Sequence, residues 1–164
     1  RTWEYNPTTS TWTENLTSTS TPGGLINYGM SFDSQRNTMV LHGGQPDGFP
    51  IDSDKTWEYN GTNWSLINTT GTPGPLERPS MCFHAGLNTT VLFGGIDVQI
   101  GGNNDVWLYD GNTSTWSVAA VTGPRPAARA GCKMVYDSGR ELCVMTGGTD
   151  PISGAPLAAE TWPT

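Results

Sequence analysis

Two segments of this chain, Thr2-Trp3-Glu4-Tyr5-Asn6 and Thr56-Trp57-Glu58-Tyr59-Asn60, are identical. Val106-Trp107-Leu108-Tyr109-Asp110 is a variant of them, and Thr161-Trp162 opens a fourth copy. The Trp positions 3, 57, 107 and 162 stand 54, 50 and 55 residues apart. A period of this length means one supersecondary unit used repeatedly, each burying its apolar face against the next. Every complete copy is followed by a second Trp, at Trp12, Trp64 and Trp116. Between successive copies an apolar run ends in a diglycine: Gly43-Gly44, Gly94-Gly95 and Gly147-Gly148.

The period divides into four strands. The first is expected over Tyr28 to Phe32, Met81 to Ala85 and Cys132 to Tyr136. Turns at Asp33-Ser34-Gln35-Arg36 and Asp137-Ser138-Gly139-Arg140 lead into the second. The second ends at the diglycine, where close backbone approach or positive φ excludes a side chain. The third carries Trp-x-Tyr with period-two alternation. Asn6-Pro7, Asn60-Gly61 and Asp110-Gly111 turn the chain into the fourth. Composition agrees: 35% hydrophobic, 14% charged, 21 Gly, 12 Pro and 7 Trp suit strands and turns, and the aromatic content excludes disorder. The class is all-β.

Diglycine, Tyr and Trp in phase at this period resemble the kelch repeat, most closely the bacterial, galactose-oxidase-like type. The resemblance covers the whole chain and implies a β-propeller of four-stranded blades. Arg78 and Arg129 are followed three residues later by Met81 and Cys132, where many kelch strands have His, and Leu25 occupies the first Arg position. The expected division is 1–24 as strands three and four of a first blade, 25–75 and 76–124 as two repeats, and 125–164 as strands one and two of a last blade. Pro163 stands where Glu4, Glu58 and Leu108 stand in the other copies, so the fourth copy is expected to stop there.

Propellers close with typically four to eight blades, whereas this chain supplies about three with complementary halves missing at its ends. Three outcomes remain open: a segment of a longer propeller, two chains closing a six-bladed ring, or chains joined head-to-tail into a filament. The start at Arg1, without Met or signal peptide, is expected of a mature form, an excised fragment or a portion of a longer chain.

Six N-glycosylation sequons begin at Asn15, Asn60, Asn63, Asn68, Asn88 and Asn112, which favours an extracellular, secreted protein. Cys132 and Cys143 lie on the two strands of one hairpin. They are read either as a cross-strand disulfide or as two small buried hydrophobes. Cys82 is expected to be a buried thiol. The two His residues, His42 and His84, with the Tyr and Cys residues present, do not reproduce the copper site of the galactose-oxidase-like enzymes. His42 aligns with Phe93 and Thr146 as a strand occupant. The loops after the diglycines, with Asp47, Asp52, Asp54, Asp97, Asn103, Asn104, Asp105 and Asp150, should share one face, open to a carbohydrate or protein ligand or to calcium, with solvated loops the stronger expectation.

A net charge of −7 with scattered cations excludes a nucleic-acid surface, and no run is long enough for a membrane helix. No hydrolase or phosphate-loop motif is present. The expectation is therefore a non-enzymatic, secreted propeller module without a resident cofactor, acting by binding or self-assembly. Its structural residues are the six glycines, Tyr5, Tyr59 and Tyr109, and the paired Trp3/Trp12, Trp57/Trp64 and Trp107/Trp116. The alternative is a fragment of a larger propeller protein, a galactose-oxidase-like enzyme or carbohydrate-binding module.

Overall fold

The computed structural model describes residues 1–16, 19–48 and 52–157. The fourth copy at Thr161-Trp162 and Pro163 lie outside the described residues. In chain order the strands are β1 (Thr2–Asn6), β2 (Thr11–Asn15), β3 (Leu25–Ile26), β4 (Gly29–Asp33), β5 (Thr38–His42), β6 (Gln45–Pro46), β7 (Thr56–Tyr59) and β8 (Trp64–Ile67). They continue as β9 (Ser80–His84), β10 (Thr89–Phe93), β11 (Ile96–Asp97), β12 (Gly101–Gly102), β13 (Val106–Asp110), β14 (Thr115–Val118), β15 (Lys133–Asp137) and β16 (Leu142–Thr146).

Two complete four-stranded antiparallel blades, β4-β5-β7-β8 and β9-β10-β13-β14, stand at the centre. A two-stranded hairpin flanks each: β1-β2 beside the first, β15-β16 beside the second. Two short ribbons, β3-β6 and β11-β12, elaborate the loops. The architecture is thus all-β propeller blades with incomplete terminal blades, as the repeat predicts. β4 and β15 run one residue later than expected and β9 one residue earlier, and the Asp33 and Asp137 turns are closed by their own side chains. Asp33 Oδ1 accepts from the Gln35 and Arg36 amides at 3.0 Å each, and Asp137 Oδ1 from the Gly139 and Arg140 amides at 3.0 and 3.1 Å. Such side-chain mimicry of a backbone turn is what Asp supplies at this position.

Burial follows position among the blades. Successive first strands pack on one another, β4 against β9 and β9 against β15. Strand β9 has neighbours on both faces and is almost wholly buried, whereas β4 alternates buried and exposed. Gly29, Ser31 and Asp33 face the next blade, and Met30 and Phe32 face outward. In the second strands, Val40 and Leu92 are completely buried and join Leu76, Met81, Tyr109 and Trp116 in one core cluster.

The diglycines show why the turn admits no side chain. Gly43 and Gly94 have φ of +75° and +71°, and a Cβ on them would stand 2.4 Å from the Leu76 carbonyl oxygen and 2.3 Å from that of Arg129. Each second glycine donates its amide to the same carbonyl, Gly44 to Leu76 at 2.8 Å and Gly95 to Arg129 at 2.9 Å. The diglycine is therefore the backbone joint between one blade and the next. These bonds align Arg129 with Leu76, not with Arg78 as the sequence spacing suggests, because the repeats differ in length.

His42 is fully buried inside the joint of the two complete blades. Its Nδ1 lies 3.0 Å from Thr56 Oγ1 and its Nε2 3.1 Å from the Gly74 carbonyl, with the Trp116 ring 5.1 Å away. Burial lowers its pKa to about 4, against the Gly74 bond and Asp54, from an ordinary 6.5. A neutral core histidine is what this arrangement holds. Since the unfolded chain takes up the proton first, its contribution is intact above pH 6.5 and is lost as pH falls towards 4, by about 3 kcal/mol in all. Thermal unfolding of the wild type against His42→Phe, the residue at the aligned Phe93, should show a steeper loss between pH 6.5 and 4 for the wild type; parallel curves would contradict it.

Candidate interaction surface

Each repeat brings its third-strand Tyr and fourth-strand Trp together. Ring centroids are 5.1 Å apart for Tyr5–Trp12 and for Tyr59–Trp64, and 4.9 Å for Tyr109–Trp116. The latter two pairs dock on the third strand of the preceding blade. Tyr109 Oη donates to Glu58 Oε1 at 2.9 Å, and Trp116 Nε1 to Thr56 Oγ1 at 2.9 Å. One blade earlier the same contacts recur: Tyr59 Oη donates to Glu4, and Trp64 Nε1 to Thr2 Oγ1 at 2.8 Å. Burial raises the pKa of both Tyr59 and Tyr109, and the neighbouring Glu reinforces it.

Tyr5 and Trp12 have no preceding blade in this chain. They are 49% and 65% exposed, whereas their counterparts are 6% and 8% or 1% and 3% exposed. Exposure of a large aromatic forgoes about 1.5–3 kcal/mol relative to burial. Between β1 and the first complete blade a groove of about 530 Å³ is lined by Trp3, Glu4, Tyr28, Met30, Phe32 and Tyr59, among others. Among the described residues the other end is also uncovered. Val144 is 39% exposed where its counterparts Val40 and Val91 are 0% and 9% exposed, and Val135 and Leu142 are bare beside it. Gly147 keeps its φ of +71°, yet a Cβ there would meet nothing within 4 Å.

Charge marks the same positions. Arg36, in the turn between β4 and β5, donates Nε to Asp33 Oδ2 at 2.6 Å and its terminal nitrogens to Glu58 at 3.0 and 2.7 Å. Burial opposes its charge, but the bonds to Glu58 and Asp33 outweigh that and raise its pKa. Arg140 makes the equivalent bond to Asp137 at 2.8 Å and is otherwise at the surface. Sequence reading missed the Arg36–Glu58 pair. Its signal was present: the Asp-x-x-Arg turn and the Glu of the pentapeptide share the repeat that has both, and where Leu108 replaces Glu, Leu87 stands at the Arg position.

The third-strand tryptophans lie on the outer part of the blades, Trp57 and Trp107 half-buried and Trp3 exposed. Of the sequon asparagines, Asn60, Asn68 and Asn112 are exposed, and Asn63 and Asn88 are half-buried. Asn15 donates Nδ2 to Tyr59 Oη at 2.6 Å and to the Thr62 carbonyl at 3.0 Å, so its amide is engaged between blades. In the loops, Asp52 is buried, and no hydrogen-bond partner for either carboxylate oxygen is found among the described residues. Burial, then the charges of Glu77 and Asp97, raise its pKa. No three His, Cys, Asp or Glu side chains among the described residues are grouped to hold a metal ion.

Of the two readings of Cys132 and Cys143, the cross-strand disulfide is contradicted by the hairpin register. The turn pairs Asp137 with Leu142, so Cys143 stands opposite Tyr136, and Cys132 precedes β15, four positions out of register. Both thiols instead face the second blade. Cys132 Sγ donates to Ser80 Oγ at 3.2 Å, while Cys82 Sγ lies 2.9 Å from Cys143 Sγ. The Cys82 hydrogen bond lowers the Cys143 pKa; the same bond, with burial, raises that of Cys82. A mild two-electron oxidant should therefore remove two of the three thiols and link the peptides of Cys82 and Cys143 on a mass-spectrometric map; a Cys132–Cys143 link would contradict this geometry.

Comparison with known proteins agrees with the repeat. Residues 1–157 match the model of the KLHDC2/KLHL20/DRC7 Kelch-repeats domain. The chain is 28% identical over 95 residues to acyl-CoA-binding domain-containing protein 4 of Arabidopsis thaliana, covering 58% of this chain and 14% of that protein. It is 27% identical over 116 residues to the Rab9 effector protein with kelch motifs of Bos taurus, covering 71% and 31%. With multiple epidermal growth factor-like domains protein 8 of Mus musculus it shares 27% identity over 128 residues, covering 74% and 4%. The chain thus spans less than a third of the length of each of these relatives.

Proposed function

The chain belongs to the kelch-repeat family, and from that premise we propose that it is a non-enzymatic, extracellular binding module whose partners include further copies of itself. Protein interaction is the work of kelch-repeat domains in general. The observation that carries the self-association reading is the contrast between Tyr5 and Trp12, half or more exposed, and the same residues buried in the next two repeats. Among the described residues, an aromatic pair and an unpaired strand edge at one end, with bare Val135, Leu142 and Val144 at the other, form two unlike faces. Unlike faces on one molecule join head-to-tail and either close a ring or continue as a filament. The face carrying the β3-β6 and β11-β12 ribbons remains for a protein or carbohydrate ligand.

A second reading, a segment of a larger propeller protein, is favoured by the small share of each relative that the chain spans. One of these relatives is named as an effector of Rab9, which fits a protein partner for either reading. Light scattering and negative-stain imaging of the native particle separate the two. Self-association predicts either a discrete two-chain species, a six-bladed ring, or long particles with a regular axial repeat. A monomer at every concentration would overturn it and leave the larger-propeller reading.

Extracellular placement rests on the sequons, of which Asn60, Asn68 and Asn112 are exposed and compatible with a glycan. Expressed through a eukaryotic secretory pathway, the protein should lose mass on treatment with peptide N-glycosidase, with the modified asparagines among these three. An unmodified mass would contradict the glycoprotein reading.

A further inference from the structure

We propose that Cys82 and Cys143 are a thiol-oxidation site that locks two sheets of this chain together: Cys143 attacks a small hydroperoxide, and Cys82 resolves the product as a disulfide. The joint so tied lies between β9 and β16 of one chain, so the site is independent of whether copies associate.

Strand register puts the two thiols at equivalent places of a repeated joint. Cys82 of β9 stands opposite Val91, as Ser31 of β4 stands opposite Val40. Cys143 precedes Val144 in β16, as Thr90 precedes Val91 in β10. Strands β4 and β9 each touch the second strand of the sheet after them, β10 and β16. The joint of the two complete blades therefore has Ser31 and Thr90, both buried, where the next joint has Cys82 and Cys143. Both joints take two small side chains at this place. In the second joint both are thiols, with their sulfurs 2.9 Å apart.

Contacts at both ends of β9 hold that spacing. At one end His84 Nε2 lies 2.9 Å from the Glu141 carbonyl oxygen, and the His84 and Tyr136 ring centroids are 4.6 Å apart. At the other, Ser80 Oγ donates to the Cys132 carbonyl, and Gly131 donates its amide to the Arg78 carbonyl at 2.9 Å. Cys82 lies between these anchors, so closing the sulfurs from 2.9 Å to a bond of about 2.05 Å takes place across a joint fixed on both sides. Cys132 is left out of the pair, because its Sγ donates to Ser80 Oγ and its residue precedes β15.

The hydrogen bond between the thiols sets the order of events. Cys82 donates its S–H to Cys143, which favours the thiolate at Cys143 and keeps Cys82 protonated. The thiolate is the form that attacks a peroxide. The Cys143 sulfur bonds to one peroxide oxygen, the O–O bond breaks, hydroxide leaves, and Cys143 becomes a sulfenic acid. The Cys82 sulfur then attacks the Cys143 sulfur, the S–O bond breaks, and the Cys82 proton departs with that hydroxide as water. Two thiols and one hydrogen peroxide give one disulfide and two waters, with the sulfurs losing the two electrons that the peroxide gains. The loop closed from Cys82 to Cys143 takes in β10, β13, β14 and β15. Its closure constrains the unfolded chain and couples the unfolding of neighbouring sheets.

Hydrogen peroxide, applied to the reduced 164-residue chain, tests both the order and the lock. Dimedone, which traps sulfenic acids, should label Cys143 in Cys82→Ser and leave the wild type almost unlabelled, because there Cys82 resolves the sulfenic acid first. Under the same dose Cys143→Ser should keep Cys82 and Cys132 as thiols, whereas Cys132→Ser should form the Cys82–Cys143 disulfide as the wild type does. The oxidised wild type should melt about 5–10 °C above the reduced form, and dithiothreitol should reverse the shift. That melting comparison uses no variant, so it decides the matter even where a substitution prevents folding. Dimedone on Cys82 or Cys132, a disulfide formed between chains, or oxidised and reduced wild type melting together would each overturn the proposal.

Discussion

A blade in this protein is finished only by its neighbour. Tyr109 and Trp116 bury their rings on the third strand of the blade before, through Glu58 and Thr56, and the diglycine of each complete blade grips a carbonyl of the blade after it. Both contacts are between sheets, so the stability of any one sheet depends on having another on each side. That is the nearest-neighbour logic of repeat proteins. It explains why β9 is almost wholly buried while β4 and β15, strands of the same kind, each keep one bare face.

The polar contacts obey the same logic. Asp33, Arg36, Glu58 and Tyr109 form a connected, half-buried network in which the Glu accepts from an Arg of its own blade and from a Tyr of the next. Exposed ion pairs contribute little; in this network burial and connectivity give the pair geometric specificity. His42 is another polar group inside a joint, and burial keeps it neutral against the opposing pull of the Gly74 carbonyl and Asp54.

The propeller fold was legible because it is periodic. Identical pentapeptides, second tryptophans and diglycines in phase mark strands two, three and four, and the Asp-x-x-Arg turns mark the boundary of strand one. What depended on contacts between repeats was not legible. The disulfide reading of Cys132 and Cys143, one of two, came from sharing a hairpin, but strand register sets Cys143 opposite Tyr136, and the neighbouring thiol comes from Cys82, on a different sheet. The alignment of Arg129 with Leu76 was hidden by unequal repeat lengths. The importance of Glu58 was hidden in the same way, since its two partners lie 22 residues before it and 51 after it.

The central claim is that a blade is held by the contacts its neighbours make with it. Amide hydrogen exchange of the native 164-residue chain, read by mass spectrometry, tests it directly. The account predicts that β9, covered on both faces, exchanges much more slowly than the equivalent strands β4 and β15, each covered on one. Equal exchange of the three first strands would contradict it.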